Sequence, residues 1–364
     1  MKKIRFGILG SGYMGRTHAE AIVRLGDRAQ WVAISGGRRA AGLAQRFGVV
    51  EEPTAEALIR RPDIDAVVVT TPHHLHVDAT VLALQEGKHA LVEKPLATNV
   101  GDCDQMIATA ATQQRVLAVA YHQRFRRNNS EARRQLRAGA IGKIQTVQVS
   151  MPSQQPVGVS SFGSDWKWWD DPASIGHMIN ALPHAIDLLR WCTDAEIATV
   201  SAFCRTLLPG LHVEDTTFAL AEFSNGMVTS LYSSRALPAP PFPGEGFRCR
   251  FVGTTGLLDL DPFGDLRLAD DKGWRLVSQQ PPVGHESADT AFGDVRMQAY
   301  RDQMESFIRA ICGEASPAGA TLVGTGADGR AAIAGCQAML TSSKERRWVD
   351  LVSPLAQPTT KPSS

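Results

Sequence analysis

Residues 4–9 form a short apolar run that passes directly into Gly10-Ser11-Gly12-Tyr13-Met14-Gly15 and then into a helical pattern. A G-x-G-x-x-G set between a strand and a helix predicts a dinucleotide site. Its glycines let the backbone turn tightly and approach a pyrophosphate, whose charge then lies at the helix N-terminus. Gly10, Gly12, Tyr13, Met14 and Gly15 are therefore assigned to cofactor binding.

The rhythm that follows supports this placement. Apolar runs at 31–34, 66–70, 90–92 and 116–120 alternate with helical spacing at 18–25, 40–47, 77–85 and 100–111. That alternation predicts a doubly wound parallel α/β sheet with right-handed crossovers. Beyond residue 121 the texture changes. A helical stretch at 129–138 precedes alternating strands at 144–151, 199–206, 216–223, 227–234 and 248–252, with Ser224-Asn225-Gly226 as a hairpin signal. Helical patterns at 300–311 and 328–342 are expected to pack on a sheet or against the first domain. The expected fold is a Rossmann domain over 1–121, an α+β domain with an open, mainly antiparallel sheet over 122–351, and a disordered Pro/Ser/Thr-rich tail over 352–364.

Composition excludes several classes of partner. A net charge of +1 gives no nucleic-acid footprint. No window reaches the roughly 18 consecutive apolar residues of a membrane helix, and the N-terminus lacks a signal-peptide pattern, so a cytoplasmic protein is expected. The six scattered cysteines read as reduced thiols. His73, His74 and His76 cluster without a carboxylate or cysteine at ligand spacing, so no metal is expected.

An acidic residue about 20 positions beyond the glycines normally holds the ribose hydroxyls. Here that stretch reads Ser35-Gly36-Gly37-Arg38-Arg39. A hydroxyl and two guanidinium groups suit a ribose 2′-phosphate, so NADP(H) is favoured, with NAD(H) as the other candidate.

Val69-Thr70-Thr71-Pro72, His76, and Gly87-Lys88-His89-Ala90-Leu91-Val92-Glu93-Lys94-Pro95-Leu96-Ala97 closely resemble the signature of the glucose-fructose oxidoreductase / inositol dehydrogenase / MocA family. The likeness continues through Tyr121 to Phe125, Gly142-Lys143-Ile144, residues 176–191 and residues 251–256. The resemblance implies oligomerisation through the open sheet, as a homodimer or homotetramer. It also implies that Lys94 lies beside the nicotinamide, that Glu93 supports it, that the Lys94–Pro95 peptide is cis, and that Thr71, Pro72 and His76 line the cofactor cleft. His184 matches the catalytic histidine and Asp187 the acid that follows it. Asn180 departs from the pattern, because inositol dehydrogenase-like members have an aspartate there.

Moving a hydride from a carbinol carbon requires a base for the hydroxyl proton and a positive charge beside the oxygen. His184 and Lys94 meet those demands, with Asn180 as the third catalytic candidate. Asn180, His184 and Asp187 share one face if the helix is continuous, although Pro183 either starts a helix near Leu182 or kinks an earlier one. Asn180 is expected to bond a substrate hydroxyl or to orient the imidazole. His122, Arg124 and Trp166 are the further substrate candidates; Arg126 and the arginines after it read as a solvated helix face. The predicted activity is an NAD(P)-dependent dehydrogenase or reductase acting on a sugar, cyclitol, sugar derivative or cyclic dihydrodiol. A catalytically silent dinucleotide-sensing regulator and a redox-assisted glycosidase or lyase are the alternatives.

Overall fold

The computed structural model describes residues 3–154, 171–281, 292–317 and 319–351. Trp166 and the tail after residue 351 lie outside these. The first half builds β1 (Ile4–Leu9), α1 (Tyr13–Val23), β2 (Ala29–Ser35), α2 (Ala40–Phe47), β3 (Val50–Glu52), α3 (Ala55–Ile59), β4 (Ala66–Val69), α4 (His76–Gln85), β5 (His89–Val92), α5 (Val100–Thr112) and β6 (Leu117–Val119). The six strands pair in parallel in the order β6-β5-β4-β1-β2-β3. All four residues of β4 are buried, as a strand covered on both faces requires.

The second half contributes α6 (Arg127–Arg137), β7 (Ile144–Gln154), α7 (Gly176–Thr193), β8 (Ile197–Arg205), β9 (Thr216–Phe223), β10 (Val228–Leu237), β11 (Arg248–Gly253), β12 (Leu257–Leu260), β13 (Asp265–Asp270) and β14 (Gly273–Gln279). These eight strands and β16 (Val349–Asp350) form a nine-stranded sheet, order β14-β13-β12-β11-β7-β10-β9-β8-β16, antiparallel except where β10 meets β7. Helices α6 and α7 pack on the sheet together with α9 (Gly326–Glu345). The Ser224-Asn225-Gly226 loop joins β9 to β10. Only Gly226 has positive φ there (+80°), and Asn225 Oδ1 accepts the Met227 N–H at 3.1 Å, so the turn is a three-residue loop rather than a tight two-residue one.

Two late elements return to the first layer. Helix α8 (Asp294–Cys312) packs on α1, burying Met304, Phe307 and Ile308 beside Phe6 and Ile8, and β15 (Gly324–Thr325) adds an antiparallel edge to β6. The pattern at 300–311 is thus the inner part of a helix that begins six residues earlier. Cysteines 103, 192, 249 and 336 are buried free thiols, Cys204 is half-buried and Cys312 is exposed. Among the described residues, no helix is long and apolar enough to cross a membrane.

Candidate active site

The glycine loop has the backbone its sequence predicts. Gly10 has φ +102°, and a Cβ there would lie 2.7 Å from the Thr70 carbonyl oxygen; at Gly15 a Cβ would lie 2.0 Å from the Gly10 oxygen. These two glycines close the turn. A Cβ at Gly12 would meet nothing within 4 Å, so the loop is open on the side where a pyrophosphate approaches the start of α1. Helix α1 therefore begins at Tyr13, five residues before the expected position. The side chains of Tyr13 and Met14 turn toward α8, with Tyr13 against Phe292 and Met14 beside Met297 and Tyr300.

Along the same strand ends, Ser35 is buried and its carbonyl accepts the Gly10 N–H, while Arg38 and Arg39 are exposed at the start of α2. No carboxylate stands in this stretch. Ser11 Oγ accepts the Arg39 N–H at 3.1 Å, tying the two loops together. Thr71 Oγ1 is buried without a partner, a polar atom a dinucleotide would satisfy, and Pro72 follows it into a short turn. The residues present thus fit a dinucleotide.

His76 is enclosed, with Nδ1 2.8 Å from the Pro95 oxygen and Nε2 2.9 Å from the Thr71 oxygen. It joins the Thr71–Pro72 turn to the Lys94–Pro95 turn, whose peptide is cis. Both ring nitrogens are engaged, so His76 holds these turns and offers no group to a metal. Glu93 reaches across to α1, where its Oε1 lies 2.8 Å from His18 Nε2, and its Oε2 accepts the Lys94 N–H at 3.2 Å.

Lys94 Nζ donates to the Asn180 backbone oxygen at 2.9 Å and to Asn180 Oδ1 at 3.1 Å. Burial pulls its pKa below the usual lysine value, with Glu93 opposing. The backbone acceptor lies in α7, which is continuous from Gly176 to Thr193 with Pro183 inside it. Pro183 lacks the N–H that would bond the carbonyl four residues back, and the carbonyl next along, that of Asn180, receives Lys94. Asn180 thus bonds Lys94 rather than the His184 imidazole, and among the described residues its amide Nδ2 stays open to the other expected role, a bond to a substrate hydroxyl.

One face of α7 carries the remaining polar groups. His177, Asn180 and His184 fall at i, i+3 and i+7, and the helix start is fixed by Glu214, whose carbonyl accepts the His177 N–H at 3.0 Å and whose carboxylate accepts that of Met178. His184 has an unpartnered buried Nδ1, and its ring lies 5.0 Å from that of His122, which in turn stacks on Tyr300 at 4.4 Å. Burial first, then the charges of Lys94 and Arg126, push the His184 pKa well below that of a free imidazole. His122 is lowered likewise, by burial and then by His184 and Arg126. The predicted trio of Lys94, Asn180 and His184 is brought together with His122.

Arg124 is not part of this cluster. Its guanidinium is buried in a bidentate pair with Asp187 (2.8 and 2.5 Å) and reaches Asp328 at 3.2 Å, so it is unavailable to a substrate, and Asp187 is unavailable to His184. Sequence reasoning missed His177, Arg126 and Tyr300. His177 was discoverable, since it continues the Asn180–His184 stripe one turn back. Tyr300 comes from α8, far along the chain, and no local signal marks it.

The family whose description is oxidoreductase family, NAD-binding Rossmann fold, matches residues 4–121, and the GFO/IDH/MocA C-terminal domain matches residues 129–259. Inositol 2-dehydrogenase of Rhizobium meliloti (strain 1021) is 26% identical over 362 residues, covering 96% of this chain and 99% of that protein. Levoglucosan dehydrogenase of Pseudarthrobacter phenanthrenivorans is 26% identical over 270 residues, covering 65% of this chain and 68% of that protein. A solved levoglucosan dehydrogenase in complex with NADH and levoglucosan superposes with a TM-score of 0.80 at 23% identity, over 96% of this chain and 99% of that one, a likeness of fold. The glycine loop, the Glu93-Lys94-Pro95 turn and the two matched domains agree, and the chain belongs to the Gfo/Idh/MocA family of NAD(P)-dependent oxidoreductases.

Proposed function

We propose that this protein is a cytoplasmic, NADP(H)-preferring dehydrogenase or reductase acting on a carbinol or carbonyl carbon of a polyhydroxylated ring, a sugar or cyclitol. The observation that carries the reading is the convergence of Lys94 Nζ, held at Asn180, with the unpartnered ring of His184 beside the nucleotide loop. In this reading residues 1–121 carry the cofactor loops and 122–351 supply the substrate face. The cofactor, when bound, takes up or gives back the hydride. Lys94 stabilises negative charge on the substrate oxygen, and His184, neutral because burial disfavours its charged form, accepts the hydroxyl proton in oxidation. An enzyme is favoured over a silent sensor because both groups are present with their reactive atoms uncommitted to a salt bridge. Reduced-nicotinamide absorbance with a panel of sugars, cyclitols and dihydrodiols tests the reading; cofactor binding without turnover on any of them would sink it.

Cofactor choice is tested separately. The double change Arg38→Ala with Arg39→Ala is expected to weaken NADP(H) binding by about 10-fold or more, since charge-assisted contacts to a phosphate are lost, and to leave NAD(H) nearly unchanged. Equal losses for both cofactors in a fluorescence titration would remove these arginines from the ribose site.

Asn180→Asp would set a carboxylate against Lys94 Nζ. An opposite charge at hydrogen-bond distance favours the charged amine, so the alkaline limb of the pH–rate profile is expected to move up by about one unit or more. An unmoved limb would mean that the Lys94–Asn180 contact is absent in the working enzyme.

Assembly through the nine-stranded sheet is part of the same proposal. On β9, buried Thr217, Ala219 and Ala221 alternate with exposed Phe218 and Leu220, and Phe218 stacks on Tyr232 at 4.4 Å beside Phe203, itself 61% exposed. A second copy, in a homodimer or homotetramer, would bury this apolar face.

A further inference from the structure

We infer that the substrate carries a carboxylate, and that Arg126 binds it. This rests on the reading that the Lys94–His184 cluster receives the substrate. Arg126 is only 4% exposed, yet among the described residues its Nε has no partner and no carboxylate acts on its charge. Arginine is almost never buried so fully without an anion. Its one favourable aromatic contact, 4.5 Å over the Phe263 ring, is the weaker kind of compensation. Burial, with Arg296 nearby, pulls its pKa down to about 10.

Arg126 caps the N-terminus of α6, the positive end of the helix, where a cation is disfavoured and an anion favoured. It also stands close enough to His122 and His184 for its charge to act on both. Two further cations stand nearby: Lys94, and Arg296, which donates to Thr17 Oγ1 at 3.2 Å and to Tyr300 Oη at 3.4 Å. The nearby acids are already engaged, Glu93 with His18 and Asp187 with Arg124. Among the described residues, no acid is paired with Arg126. The planar guanidinium offers two parallel donors, which match a carboxylate. His177, 6% exposed with neither ring nitrogen partnered and pushed down to about 3 by burial, Arg235 and Lys94, is a neutral donor and acceptor suited to a hydroxyl of the same molecule.

The test uses the full chain with NADPH or NADP+ and matched probes: glucose with glucuronate, and glucitol with gluconate. Binding is read from the fluorescence of bound NADPH, separately from turnover. The carboxylated member of a pair is expected to bind at least about 100-fold tighter. Arg126→Gln should collapse that ratio to within about threefold of one and Arg126→Lys should leave it intermediate, while NADPH affinity holds for both and reports an intact fold. Arg126-dependent carboxylate binding without any turnover would support this inference and count against the dehydrogenase reading. Equal binding of neutral and carboxylated probes, no binding of either, or loss of NADPH affinity in Arg126→Gln would each overturn the inference, the last by assigning the guanidinium to the cofactor.

Discussion

Replacing Lys94 with alanine is expected to lower turnover by about 10²-fold or more while leaving cofactor affinity within a few-fold of wild type. An ammonium aimed at an oxygen that gains charge during reaction contributes on the scale of an oxyanion-hole donor, about 3 kcal/mol of barrier. The contact to the Asn180 carbonyl keeps Nζ in place before substrate binds, so little reorganisation is needed at the moment of hydride movement. The pH dependence carries a second signature. Burial lowers the pKa of Lys94, so its charge is lost at a lower pH than that of an exposed lysine, and wild-type activity should fall on the alkaline side before the ordinary lysine range is reached. Lys94→Ala should show no such limb. Steady-state kinetics across pH, with NADPH titrated by fluorescence, checks both; near-normal turnover would take Lys94 out of the mechanism.

The parts of the protein that were legible in sequence are those whose cause is local. Gly15 is required by the approach of the Gly10 carbonyl five residues back, and the central strands β1, β4 and β5 of the first sheet are short apolar runs that a doubly covered sheet demands, whereas β3, Val50-Glu51-Glu52, carries no such signal. The course of α7 was open because Pro183 permits either a start or an interruption, and the decision belongs to Glu214, some thirty residues further on, which holds the helix N-terminus. The arginines show the same limit more sharply. Arg124 and Arg126 are two positions apart and chemically identical, and spacing assigned the first to substrate and the second to solvent. Tertiary contacts decide otherwise: Asp187 and Asp328 approach Arg124 from α7 and α9, whereas Arg126 meets the ring of Phe263 and, among the described residues, no acid. The reach of α8 back to α1, which brings Tyr300 under His122, is likewise invisible to any window of sequence.

His184→Asn is expected to reduce turnover by about 10²- to 10⁴-fold, the usual contribution of a positioned acid or base, with modest change in cofactor binding. In oxidation the imidazole must be neutral to take the proton. Burial and the charges of Lys94 and Arg126 lower its pKa, so wild-type kcat/KM should stay level as pH falls through 6.5 and decline only in more acid solution. That acid limb should vanish in His184→Asn. Stability gives an independent reading. A histidine whose folded pKa is depressed takes up a proton in the unfolded chain first, so its contribution is whole above pH 6.5 and is lost as pH falls toward the folded value, by up to about 1.4 kcal/mol per pH unit for one proton. His122 and His177 act in the same direction, so His184→Asn should reduce the acid destabilisation without abolishing it. Urea unfolding between pH 7 and pH 5 measures that slope. If the variant keeps the wild-type acid limb, the proton goes to another base, and His122, 5.0 Å from His184, is the next to replace.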